Sequence, residues 1–160
     1  MVRAFAVLLA ALSVPLVIVP HAGAADDHAL CSIAGSVAPT PGVGYAPQSG
    51  TFALKGTLDC TSDSPAHGDM TGTGTGTIGC LGGSSTATLT VAWDGGQTST
   101  MKVQLGDFTY GTGGYGTVDD GAFKTSHVML GWGREAAAAE MRCVSGGVKS
   151  YEFAGGIGLG

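Results

Sequence analysis

The chain has 160 residues, twelve acidic against seven basic side chains and a formal charge of −5. An acidic chain without a basic cluster is a poor partner for nucleic acid or anionic lipid, which bind through arrays of Lys and Arg. Its length is enough for one ordinary domain and short for two.

The N-terminus comes first. Arg3 is the only charged residue among the first 25, and an apolar run from Phe5 to Val19 follows it. Pro20 breaks that run, and Ala22-Gly23-Ala24-Ala25 supplies a small-residue site. A basic start, a short apolar run and an A-x-A site are the parts of a secretory signal peptide. A spanning helix needs roughly 20 apolar residues, and this run is shorter and interrupted by Pro15. We therefore expect residues 1–24 to be cleaved and residues 25–160 to form a single secreted domain. Removing the leader takes away one cation and no acid, so the mature charge becomes −6. No later stretch is apolar enough to span a membrane.

The mature region alternates with period two, the signature of strands with one buried face. Cys31, Ile33 and Val37 share a face of the first strand, near 31–38. Phe52, Leu54, Leu58 and Cys60 do so over 48–60, with Thr51, Lys55, Thr57 and Asp59 behind them. In 70–80, Gly72, Gly74 and Gly76 alternate with threonines. Glycine there marks close backbone approach or a bend. It is not a phosphate loop, because no helix and no Lys-Ser/Thr follows. Ala87, Leu89, Val91 and Trp93 line one face of 85–93; Met101, Val103 and Leu105 line one face of 98–110. Asp94-Gly95-Gly96 between them is a strong hairpin signal. A sixth strand is expected over 115–118 with 121–130, a seventh over 134–143 and a last over 148–159. The seventh carries Arg134-Glu135-Ala136-Ala137-Ala138-Ala139, which has helical propensity, and its flanking glycines make it a strand. Oily and hydroxylated faces on antiparallel strands predict an all-β fold. The expected architecture is an antiparallel sandwich or barrel of eight to nine strands with two disulfides.

Cys31, Cys60, Cys80 and Cys143 all lie in the exported part. An even count in a small secreted chain reads as two disulfides, and spacings of 29, 20 and 63 lack the close pairs of a zinc site. In an up-and-down meander Cys31 and Cys60 fall at one end, Cys80 and Cys143 at the other. That parity predicts the bridges Cys31–Cys60 and Cys80–Cys143.

These motifs have a wider echo. The Phe-x-Leu-x-Gly-Thr-Leu-x-Cys strand, the Thr-Gly-Thr-Gly-Thr-Ile-x-Cys strand, the Trp93-Asp94-Gly95-Gly96 hairpin and the Phe-Ala-Gly-Gly-Ile-Gly-Leu-Gly end resemble a group of small, uncharacterised secreted actinobacterial β-proteins. The resemblance implies export and a β fold. Its motifs are structural, so it carries over no catalytic residue. The acidic chromoprotein carriers of actinobacteria are similar in composition only, since their disulfides close shorter loops.

Chemistry is sparse. His28, His67 and His127 form no H-x-x-x-H or H-E-x-x-H pair, and no G-x-S-x-G elbow exists. Asp119-Asp120-Gly121 and Asp94-Gly95 read as turns rather than paired catalytic acids. Cleavage after Ala25 instead of Ala24 would start the chain Asp26-Asp27-His28, a copper or nickel clip; the preferred cut does not. We therefore expect no catalytic residues, metal or cofactor. The remaining candidates are aromatic. Tyr110 and Tyr115 flank a glycine loop, and Trp132 sits between two glycines. Exposed rings on a β domain stack on sugars or line a ligand mouth. The sequence thus suggests a secreted, non-catalytic binding module for a small apolar or carbohydrate ligand. The alternatives are a structural or accessory envelope protein without a ligand site, or a secreted hydrolase.

Overall fold

In a computed structural model, residues 28–61, 65–80, 82–108, 111–134 and 147–160 are described. The expected leader and cleavage site, Tyr110, Cys143 and most of the expected 134–143 strand lie outside the described residues.

Eight strands close into one antiparallel up-and-down barrel: β1 Ala29–Thr40, β2 Gln48–Cys60, β3 His67–Ile78, β4 Ser84–Trp93, β5 Thr98–Phe108, β6 Gly111–Gly121, β7 His127–Arg134 and β8 Tyr151–Leu159. Each strand pairs with its sequence neighbours, and β8 returns to β1. Closure removes the exposed edges an open sandwich would leave. The register can be walked round the barrel through directly opposite residues: Leu30, Gly158, Met129, Tyr115, Gln104, Thr86, Thr75, Thr51 and Thr40. The walk leaves β1 at Leu30 and regains it at Thr40, a stagger of ten residues. Stagger of this kind accompanies strands tilted by roughly 35–45° to the barrel axis.

The alternation read from sequence sorts inside from outside. Leu54, Leu58, Leu89, Val91, Trp93, Met101 and Val103 are buried, and the threonines between them face solvent. The interior is a packed core, with Leu58, Met70, Leu89, Met101 and Val128 almost wholly inaccessible. Gly72 and Gly74 of β3 make room for it. A Cβ on Gly72 would lie 2.6 Å from Leu89 Cδ2, and one on Gly74 would strike the Phe52 ring. The large side chains of β2 and β4 lie across β3 where it has none.

One strand assignment changes. The expected sixth strand is broken after Gly121, so 111–121 and 127–134 form separate strands and the turn falls at 122–125 rather than at Asp119-Asp120. Phe123 is the physical reason. It is buried beneath the barrel, edge-on to Trp93 with ring centroids 5.7 Å apart. Reaching that place takes positive φ at Gly121, Phe123 and Thr125, a conformation uncommon outside glycine. The strand that follows the turn is His127–Arg134; the strand expected over 134–143 lies, after Arg134, outside the described residues.

Cys31 and Cys60 are directly opposite on β1 and β2 and are joined by a disulfide. This is the first expected bridge. The second involves Cys143, outside the described residues. The barrel's other end is closed by connections between strands. Val43 and Val148 exchange backbone hydrogen bonds of 2.8 and 2.9 Å, and Cys80 N–H donates to Gly44 O at 3.0 Å.

Candidate functional site

Of the three aromatic candidates, Tyr110 lies outside the described residues, and Tyr115 and Trp132 are not brought together. Tyr115 stands on the outer face of β6, 63% exposed. Trp132 of β7 points inward, only 6% exposed, and stacks on Phe153 at 4.9 Å. The expectation that Trp132 is a surface ring is therefore corrected: its neighbours Gly131 and Gly133 face outward, and period two sends the indole into the core.

Around Tyr115 the outer surface forms an open trough of about 1030 Å³. Its floor is short side chains. Thr73 and Thr75 of β3 lie opposite Thr88 and Thr86 of β4, and Thr51 and Ala53 of β2 continue the two rows. Barrels narrow at the waist because twisted strands generate a hyperboloid, and small outward residues leave that waist unfilled. Of the two benzene-type rings in the trough's lining, Phe52 is buried in the core and Tyr115 is exposed. Its hydroxyl donates to Gln104 Oε1 at 2.8 Å, from the directly opposite position on β5. That bond holds the phenol along the trough and leaves the ring face open.

The ionic groups of this surface are mutually paired. Lys102 Nζ lies 2.7 Å from Asp119 Oδ2, and Thr117 Oγ1 donates to Asp119 Oδ1 at 3.0 Å. The hydrogen bond from Lys102, then that from Thr117, holds the Asp119 carboxyl below the usual carboxylate range. Asp119 in turn raises Lys102. Sequence reading placed Lys102 and Gln104 on the outer face. It missed their partners, because pairing is a property of two strands; for Lys102 the partner Asp119 also sits where the β5–β6 register shifts, between Thr100 and Met101. A bulge of this kind re-aims side chains without a strong sequence signal.

His127 lies at the trough's margin, and His67 pairs instead with Asp59 at 2.6 Å near the β2–β3 connection. Among the described residues, no group of three or more His, Cys, Asp or Glu could hold a metal. No described helix is long and apolar enough to cross a membrane.

Comparison with known protein families, curated proteins and solved structures finds no match for this chain.

Proposed function

We propose that this chain is a secreted, non-catalytic β domain that binds carbohydrate in the trough beside Tyr115. The observation that carries this reading is the exposed phenol, pinned by Gln104 above a floor of paired threonine hydroxyls. A sugar offers an apolar C–H face to stack on a ring and hydroxyls to bond to polar side chains, and such amphipathic aromatics anchor binding surfaces. Lys102 is already engaged by Asp119, which favours an uncharged sugar. Of the two ligand classes suggested by the sequence, carbohydrate fits better than an apolar molecule inside the barrel. The interior is occupied by Met70, Leu89 and Met101, and the cavity between Phe52 and Trp132 measures only about 30 Å³. The resemblance to secreted actinobacterial β-proteins, the leader and the disulfide together support an extracellular location, where the bridge persists.

A second reading keeps the domain as a structural or accessory component of the cell envelope, and the filled core favours it. Neutral oligosaccharides titrated against the mature protein separate the two. Binding that weakens at least about tenfold, or about 1.4 kcal/mol, in Tyr115→Ala and survives in Tyr115→Phe is the expected result. Absence of binding across a glycan panel, or affinity indifferent to Tyr115→Ala, would leave the second reading.

A further inference from the structure

The barrel carries one tryptophan towards each end, and the two are treated differently. At the hairpin end, Trp93 Nε1–H donates to Ser99 Oγ at 2.8 Å, and Ser99 donates to Ala122 O at 2.6 Å. At the opposite end the indole nitrogen of Trp132 is buried and has no hydrogen-bond partner among the described residues. A buried N–H without an acceptor is uncommon, and such groups generally point to an ordered water or ligand. Trp132 lines a small cavity of about 30 Å³. The other walls include Val37, Phe52 and Leu105, with Ser85 on the inward-facing row of β4 as a polar member. Val43 and Val148 pack against Ile78 and Tyr151, two further lining residues.

Size and chemistry select the occupant. A water needs at least about 10–15 Å³ of this kind of volume and two to four polar partners. The cavity has room for one or two waters and none for a sugar or a lipid. We propose that this pocket is a specific site for one resident water, which accepts the Trp132 Nε1–H and is held from β4 by the Ser85 hydroxyl. Such a water completes at this end what Ser99 does at the other. It also fixes the indole against Phe153. The site is independent of the outer trough and stands whether or not carbohydrate binds there.

Water-selective NOE and ROE spectra of the ¹⁵N-labelled mature protein test this directly, with Trp132→Phe used to assign the indole resonance. The expected result is a cross-peak between water and Trp132 Nε1–H with the sign of a long-lived contact. None is expected at Trp93. In Ser85→Ala, a mild change that keeps cavity and indole, the cross-peak should weaken at least about twofold and the Nε1–H resonance move upfield. A wild-type spectrum without the Trp132 cross-peak would overturn the proposal. So would a cross-peak of unchanged strength and shift in Ser85→Ala, since the water would then owe nothing to β4.

Discussion

Ser99 is the most informative single position in the barrel. It is the only buried polar residue among those described, fully inaccessible, and it links Trp93 on β4 to the Ala122 carbonyl in the β6–β7 turn. Ser99→Ala removes one oxygen and strands two groups, the Trp93 N–H and the Ala122 C=O. Each buried group left unmatched costs about 1–3 kcal/mol. The carbonyl is only partly buried, so its share falls at the low end, and the total expected is about 2–4 kcal/mol. For a domain of this size that corresponds to a fall in Tm of roughly 6–12 °C. Urea unfolding of the mature protein, followed by tryptophan fluorescence, measures it. A cycle with Trp93→Phe isolates the indole's part, and we expect a coupling of about 1 kcal/mol between residues in direct contact. A loss under about 0.5 kcal/mol, typical of a surface substitution, would refute the reasoning. So would strict additivity in the cycle.

Other outcomes follow from the same geometry. Replacing Cys31 and Cys60 together by Ser opens a loop with a sequence separation of 29, and chain entropy puts the loss at about 3–4 kcal/mol by denaturant titration. Peptide mapping under non-reducing conditions should recover Cys80 joined to Cys143, and a Cys60–Cys80 fragment would contradict the meander parity. Gly74→Ala drives a Cβ into the Phe52 ring and to 2.7 Å from Thr86 O, an overpacking expected to cost at least about 1–3 kcal/mol. Gly95→Ala in the exposed hairpin turn meets nothing within 4 Å and should stay within about 0.5 kcal/mol of wild type. Asp119 and Asp120 are held below 3.8 by Lys102 and Lys124 respectively. Lowered carboxylates stabilise the fold above their unfolded pKa and lose that contribution as pH falls through the folded one. Tm should therefore decline as pH is taken from 5 to below 3.8, and less steeply in Asp119→Asn. Lys102, raised above 10.5, contributes in the opposite sense, with a loss as pH rises past that value.

Much of the barrel was legible along the chain because each strand carries its own two-residue alternation. Leu89, Val91 and Trp93, or Met101, Val103 and Leu105, declare their inner face without reference to any neighbour. The same parity placed Cys31 opposite Cys60. Where the reading went astray, a distant contact outweighed a local preference. Asp119-Asp120-Gly121 is a good local turn. Burial of Phe123 against Trp93 carries the turn three residues onward. Trp132 between two glycines looks like a surface ring until strand parity is counted from the correct start of β7.

The candidate site divides in the same way. Local pattern sufficed to put Tyr115, Gln104, Lys102 and the threonines outside. Which of them touch was decided by register: the regular β5–β6 pairing sets Gln104 opposite Tyr115, and the shift at Thr100/Met101 places Asp119 beside Lys102. By itself the amino-acid order determined an all-β domain with a threonine-rich exterior, since alternation is a property of single strands. Closure into a barrel, the depth of the trough, the unmatched indole of Trp132 and the pairing of Lys102 with Asp119 required tertiary structure. They are relations between strands, and no strand encodes its partner's offset.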